Sequence, residues 1–176
     1  MKFRALKPDE IDVRVGGVYD QGITMLLYKN ARVDMQILDE TVGEYNWQRD
    51  HKEVKGNLYC GIGINSGCEW VWKWDCGTES FSDKEKGEAS DAFKRAGFNW
   101  GIGRELYTAP FIWLPCATKP KANGKGYEVN DPKELKGIYV REIETAETDG
   151  KRVITKLVLS QKAYKKVVDI YKWEAK

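Results

Sequence analysis

Three strand-like runs separated by very short turns constrain this chain more than any other feature. They cover roughly Trp47 to Val54, Asn57 to Ile64 and Glu69 to Asp75, and the turns between them contain Lys55-Gly56 and Asn65-Ser66-Gly67. Turns this short join antiparallel neighbours, because a parallel pair needs a crossover of about a dozen residues. The runs therefore predict a three-stranded antiparallel meander.

The third run has two different faces. Trp70, Trp72 and Trp74 alternate with residues 71, 73 and 75, which is the two-residue period of a strand. One face is therefore a tryptophan stripe. Aromatic residues on one strand face usually form a core or a subunit contact, so we interpret the stripe in that way and not as a base-stacking platform.

A long helix is predicted directly after the meander. Ser82-Asp83-Lys84-Glu85 has the serine and glutamate of a capping box, and the helix is expected to run to about Phe98. Its apolar side, which should lie on the sheet, contains Ala89, Ala92, Phe93, Ala96 and Trp100. Lys94 and Arg95 then lie on or beside the opposite edge. Three glycines, at 97, 101 and 103, predict a tight aromatic corner from Phe98 to Gly103.

Two helices are predicted before the meander. One spans about Ala31 to Thr41, with Arg32 at its beginning and Gly43 as its stop. The other is short and covers residues 8 to 17, because Pro8 and two acids stand in what would be its first turn.

The C-terminal third is predicted as a loop, a hairpin and a helix. Residues 118 to 136 are rich in Lys, Gly, Asn and Pro, which is typical of a mobile surface loop. Strands near Ile138 to Thr145 and Val153 to Ser160 flank a Thr148-Asp149-Gly150-Lys151 turn. A last helix is expected over about Gln161 to Trp173. The predicted class is α+β, an antiparallel β-meander with a long helix packed on the sheet.

Composition sets the class of protein but not its ligand. The chain has 176 residues, of which 41% are hydrophobic, enough for one folded domain. A net charge of +2 provides no argument for nucleic-acid binding, so any basic site must be local. No apolar run is long enough for a membrane span or a signal peptide. We therefore expect a cytoplasmic protein, without membrane association, whose four cysteines are reduced.

Nucleotide and catalytic motifs are missing from the sequence. No phosphate-binding loop of the GxxxxGK type is present, and the glycines at 61, 63 and 67 miss the dinucleotide pattern by one position. We interpret that stretch as a strand that its neighbours approach closely. The only histidine, His51, falls on a strand among charged residues. The prediction is a protein that is not an enzyme and needs no cofactor or metal.

A few basic residues stand beside aromatic residues and glycine turns. Taken singly, Arg32, Lys94, Arg95 and Arg104 are ordinary solvated charges. Near exposed aromatic residues and glycine turns they supply phosphate neutralisation, stacking surface and close backbone approach. Single-stranded nucleic acid needs these three properties.

Several motifs in this order resemble the annealing domain of the Rad52/Rad22 superfamily, especially its short, bacteriophage-encoded members. They are Arg32-Val33-Asp34 opening a helix, Gly43-Glu44-Tyr45-Asn46-Trp47 at its end, and Lys86 to Ala96 running into Phe98-Asn99-Trp100-Gly101-Ile102-Gly103. The resemblance spans roughly residues 30 to 107.

This resemblance implies a function in homologous recombination and DNA repair. Members bind single-stranded DNA and anneal it to a complementary strand without ATP, as rings of about ten or eleven subunits. By resemblance the DNA-binding residues are Arg32, Tyr45, Lys94, Arg95 and Arg104. A basic position of the eukaryotic members aligns with Phe98, which weakens the site or converts that contact to stacking. A single-strand-binding protein or an exonuclease is a candidate partner.

One annealing domain is expected over residues 1–176. Its core would be about 30–107, its flexible loop about 118–136, and its C-terminal hairpin and helix about 137–174. Lys119, Lys121 and Lys125 in the loop are candidates for an outer DNA contact, against plain disorder. The chain ends where partner-binding tails begin in eukaryotic relatives, so we expect no mediator function. The alternatives are a passive coating protein and a metal-dependent nuclease.

Overall fold

The computed structural model describes residues 1–78, 84–163 and 166–175. It confirms the predicted α+β class, with mostly antiparallel sheets. In chain order the elements are β1 (Ile11–Tyr19), β2 (Gly22–Lys29), α1 (Ala31–Val42), β3 (Trp47–Val54), β4 (Asn57–Asn65), β5 (Trp70–Cys76), α2 (Lys84–Trp100), β6 (Ile112–Pro115), β7 (Thr118–Pro120), β8 (Tyr127–Val129), β9 (Ile138–Thr148), β10 (Lys151–Ala163) and β11 (Lys166–Glu174). Short 3-10 helices lie at Pro8–Glu10, Arg104–Thr108 and Pro132–Leu135.

The chain divides into two compact units. The first contains Met1–Leu6 and Lys29–Arg104, and the second contains Lys7–Tyr28 and Glu105–Lys176. The long segment of the first unit covers α1, the meander and α2. No helix in the described ranges is long and apolar enough to cross a membrane.

The first unit is built on the three-stranded sheet β3-β4-β5. Both strand pairs are antiparallel, as the two short turns required. On one face Cys60, Ile62 and Ile64 of β4 are buried, and so are Ala92, Phe93 and Ala96 of α2. The indole Nε1 of Trp100 donates to the Ile62 carbonyl at 2.9 Å, which fixes the end of α2 to the sheet.

The opposite face of this sheet carries the tryptophan stripe. Trp72 pairs with Gly63 and Trp74 with Gly61, and both indoles are half-buried against those glycines. Their ring centroids are 5.6 Å apart in a stacked arrangement. Trp70, at the end of the row, is 39% exposed. The glycine-rich strand was predicted to let its neighbours approach closely, and the neighbours that do so are tryptophan rings.

The helix α1 begins and ends as its sequence predicts. Asn30 is the N-cap, with its Oδ1 accepting hydrogen bonds from the backbone N–H groups of Arg32 and Val33. Gly43 follows the last turn with a φ of 86°, which glycine adopts without strain. The indole Nε1 of Trp47 donates to Asp39 at 2.6 Å and ties α1 to the first strand of the meander. The capping box at Ser82 lies outside the described residues.

The second unit is almost entirely β. It contains the antiparallel sheets β11-β10-β9 and β7-β8, and a third sheet of order β1-β2-β6. Its core includes Ile23, Ile112, Val140, Leu157 and Leu159. The strand pair β9-β10 and its turn agree with the predicted hairpin, although both strands are longer than expected.

The helix predicted over residues 8 to 17 is wrong beyond its first turn. Pro8–Glu10 forms a 3-10 helix, and the chain continues as the strand β1. Proline and the acids did start a helical turn, but Ile11, Val13 and Val15 alternate with polar residues. That two-residue period with β-branched side chains favours a strand, which β2 completes in the sheet.

The last predicted helix, Gln161 to Trp173, is also wrong. The strand β10 continues to Ala163, and β11 pairs with it over residues 166–174, for example Leu159 opposite Tyr171. The apolar residues in this stretch fit either period, so periodicity alone could not decide between helix and strand. Pairing with β10 and the strand preference of Val167, Val168 and Ile170 decided the outcome.

The segment predicted as a loop, residues 118 to 136, contains regular structure. The strands β7 and β8 pair from Thr118 opposite Val129 to Pro120 opposite Tyr127. The turn between them uses Gly124 and Gly126 with positive φ, and the N–H of Lys121 donates to the Gly126 carbonyl. The glycines that suggested a loop therefore form the turn of a small hairpin.

Candidate nucleic-acid interface

The helix α1 presents Arg32 at its beginning and Tyr45 just beyond its end. A helix of this length spans about 18 Å, so the two side chains stand well apart. Arg32 is exposed, and within the described part of the chain its guanidinium has no ion-pair partner. Tyr45 is 92% exposed, and its ring packs on no other ring of the described residues. Both are therefore open to a ligand.

Lys94 lies on the side of α2 that faces α1. Its Nζ is 3.7 Å from Asp91, and only 18% of its side chain is exposed. Its positive charge also acts on the buried carboxylate of Asp34 in α1. The structure therefore brings the positive charge of Lys94 towards α1.

Arg95 points a different way from its neighbour. Its Nε donates to Asp75 Oδ1 of β5 at 3.1 Å, and 43% of its side chain is exposed. Asn99 also donates to Asp75, at 3.2 Å. Successive residues in a helix are turned by about 100°, so a basic pair does not form one patch automatically. The predicted Lys94-Arg95 pair is divided between α1 and the sheet.

Arg104 caps the end of α2. Its Nε and Nη2 donate to the Phe98 carbonyl at 3.0 and 2.7 Å, and Nη2 also donates to the Asn99 carbonyl at 3.0 Å. The last carbonyls of a helix lack partners within the helix, and a cation there is favourable. Arg104 thus stabilises the glycine corner. Only the part of its side chain that stays exposed can contact a ligand.

Phe98 lies against a buried cation. The Nζ of Lys29 is 4.1 Å from the centroid of its ring, and the ring is half-buried. Of the two alternatives for Phe98, stacking on DNA or core packing, this contact supports a structural role for at least one ring face.

The candidate outer lysines lie on the β7-β8 hairpin. Lys119 is 3.3 Å from Glu128 on the paired strand, which reduces its availability to phosphate. Lys121 and Lys125 are exposed around the turn. The hairpin belongs to the second unit.

Sequence reasoning missed a buried ion pair, between Lys29 and Asp34. Both side chains are essentially inaccessible, and the Lys29 Nζ donates to Asp34 Oδ1. Burial raises the pKa of Asp34 to about 6, although the charge and hydrogen bond of Lys29 and the charge of Lys94 lower it. A signal did exist, because Asp34 stands next to Val33 and three residues before Ile37, on the apolar side of α1.

An antiparallel sheet covered by a helix, with basic residues on two helices and an exposed tyrosine just beyond one of them, defines an α+β protein suited to binding nucleic acid. Over residues 4–123 the chain matches the family model described as Rad52/22 family double-strand break repair protein. The match covers well over half of the sequence, and the chain belongs to this family. Membership places it among proteins of DNA repair and recombination, as the sequence motifs predicted. No curated protein and no solved structure matches the chain.

Proposed function

We propose that this protein binds single-stranded DNA and anneals it to a complementary strand without ATP or any catalytic step. The proposal depends on one observation, that two exposed side chains mark the two ends of α1. Within the described part of the chain Arg32 has no ion-pair partner, and Tyr45 is almost fully exposed. Both residues, and Lys94 on the neighbouring helix, lie inside the family match. The proposed site is Arg32, Tyr45 and Lys94, with Arg95 and Arg104 contributing from the edges.

The chemistry of this site suits annealing. Arginine and lysine neutralise phosphate without reading base identity, so binding should tolerate any sequence and weaken with salt. A tyrosine ring can stack on one base and leave the other bases free. Bases that stay exposed can pair with a second strand. Because base pairing lowers the free energy, no nucleotide has to be hydrolysed.

We further propose that the functional form is a ring of about ten or eleven subunits. Supporting this is the stripe of Trp70, Trp72 and Trp74, because aromatic residues are enriched at the centres of protein interfaces. Light scattering should then give a mass about ten or eleven times the 20.2 kDa of one chain. A monomer both with and without DNA would rule out the ring. Bacteriophage origin and a location in the host cytoplasm stay predictions.

The annealing assay uses two complementary oligonucleotides, one with a fluorophore and one with a quencher, without ATP and magnesium. The wild-type chain should accelerate quenching over protein-free strands, and Arg32→Gln should reduce that acceleration. The matched control is Lys55→Gln, which removes one positive charge from the exposed β3-β4 turn. Equal effects of the two variants on annealing would show that Arg32 is not part of the binding site.

Two other outcomes would overturn the proposal in different ways. Binding of both strands with slower pairing than in buffer would identify a passive coating protein. Loss of full-length strand only after magnesium is added would identify a nuclease.

A further inference from the structure

The ion pair of Lys29 and Asp34 joins three parts of the first unit at one buried point. Lys29 directly precedes the N-cap of α1, and Asp34 lies in the first turns of that helix. The same Lys29 Nζ donates to the Ile102 carbonyl of the glycine corner at 2.8 Å and lies over the ring of Phe98 in α2. A lysine ammonium has three donors, so one side chain can serve several acceptors at once.

Glycines make room for this ion pair. A Cβ atom on Gly97 of α2 would overlap the Asp34 Oδ1, and one on Gly103 would lie 2.9 Å from the Lys29 Cδ. Asp34 Oδ2 has no hydrogen-bond partner within the described residues. The helices therefore approach each other closely around a pair of charges that is incompletely satisfied.

Stability alone does not account for such an arrangement. Replacing a buried ion pair by apolar residues of similar volume is often neutral or stabilising, because both charges must be removed from water. A buried pair can instead fix the relative position of the elements that it joins. Hydrogen bonds have a preferred geometry, whereas apolar contacts allow the elements to shift. The elements that it fixes here are α1, which carries Arg32, and α2, which carries Lys94.

We propose that Lys29 and Asp34 are positioning residues, which hold Arg32 and Lys94 at the separation needed to engage one DNA strand. This inference rests on the proposed function. Cations on two separate elements contact the same phosphate backbone only if the distance between the elements is held, and binding sites depend on such supporting contacts.

The test is the double variant Lys29→Met, Asp34→Leu, which keeps the net charge and the number of side-chain heavy atoms at position 34. Its affinity for a labelled oligothymidine is measured as a function of salt concentration, and its stability by urea unfolding. We expect stability equal to or above wild type, with the slope of log K against log salt reduced by about 0.7 for every DNA phosphate that the variant no longer neutralises. A wild-type slope and affinity in a folded variant would overturn the proposal.

Two further variants make the test specific. Arg4→Gln, Glu40→Gln removes an ion pair of 2.6 Å from the exposed side of α1, also without changing net charge, and should keep the wild-type slope. Asp34→Asn retains an oxygen that can accept from Lys29, so it should bind DNA with a slope nearer to wild type than the apolar pair does. Equal slopes for Asp34→Asn and the apolar pair would count against positioning.

The proposal can still be tested if the variant Lys29→Met, Asp34→Leu does not fold. Lys29→Met, Asp34→Asn then replaces it, because it also removes the link from α1 to Ile102 while changing the shape at position 34 less. An unchanged slope in this variant overturns the inference. Wild-type protein that binds no oligonucleotide would instead overturn the proposed function, and the positioning role with it.

Discussion

The indole ring of Trp74 lies over Gly61 of the neighbouring strand, so close that a Cβ atom on Gly61 would be 2.5 Å from the ring. Trp72 lies over Gly63 in the same way, two residues along the pair of strands. The Nζ of Lys52 is 4.2 Å from the centroid of the Trp74 ring. Two glycines on β4 therefore create the surface on which two tryptophans rest, and the shape of this face depends on the absence of side chains there.

Gly61→Ala should destabilise the fold by about 1–3 kcal/mol, because the new methyl group must displace Trp74 or distort the strand pair. Urea unfolding followed by tryptophan fluorescence measures this loss. The control is Asp50→Ala, an exposed residue of β3 directly opposite Gly61, which should change stability by less than about 0.5 kcal/mol. Equal losses for both variants would contradict the close contact between Gly61 and Trp74.

The meander and its helix could be predicted from sequence because local signals agree there. Short glycine turns, alternation in β5 and the apolar side of α2 all indicate one arrangement, and β3 begins and ends at the predicted residues. The strands β1 and β11 could not be predicted in the same way. Pro8 and two acids indicated a helix start before β1, and the apolar residues of β11 also fit a helical period, so pairing with the neighbouring strands β2 and β10 decided the outcome.

The exposure of two candidate residues agrees with the sequence prediction, but the orientation of the other candidates could not be predicted. Arg32 and Tyr45 are exposed, as a binding role requires. The partners of Arg95 and Arg104 are set by tertiary packing. Asp75, the partner of Arg95, is twenty residues away in sequence. The carbonyls that Arg104 binds are free to accept only because α2 ends there. Sequence position alone could not show that these two arginines are partly committed to the fold.

Tyr45→Ala should weaken binding of single-stranded DNA by about 1–3 kcal/mol, the contribution of one base stacked on an aromatic ring. Its exposed side chain contributes little to folding, so urea unfolding should stay within about 0.5 kcal/mol of wild type. Fluorescence anisotropy with a labelled oligonucleotide measures the affinity. Tyr45→Phe keeps the ring and should bind like wild type, and an affinity as low as that of the alanine variant would argue against stacking.

Asp75→Asn should strengthen DNA binding. The change removes the carboxylate charge that holds Arg95, while the amide can keep a hydrogen bond to Asn99. Without the Asp75 carboxylate, Arg95 can turn more readily to a phosphate, and one more phosphate contact would steepen the slope of log K against log salt by about 0.7.

The matched control for Asp75→Asn is Asp50→Asn. It removes the same charge from an exposed position of β3. General electrostatic attraction would strengthen binding equally in both variants, so only a steeper slope for Asp75→Asn assigns a phosphate contact to Arg95. Identical slopes would leave Arg95 with a structural role only.

The ionisation of Asp34 should make stability depend on pH. Its pKa in the folded chain is about 6, raised by burial from an ordinary value of 3.8. Between these values the folded state binds a proton that the unfolded state has lost, so acid favours folding at this position. This stabilisation is fully present below pH 3.8 and is lost as pH rises through 6, a change of about 3 kcal/mol.

Asp34→Asn isolates this contribution, because asparagine does not titrate. The free energy of unfolding of wild type minus that of Asp34→Asn should fall by up to about 3 kcal/mol between roughly pH 4 and pH 7. Urea unfolding of both proteins across this range gives the difference, in which the other carboxylates cancel. A difference that stays level with pH would mean that the charge of Lys29 offsets the cost of burying Asp34. Ionisation of Asp34 would then contribute nothing to the pH dependence of stability.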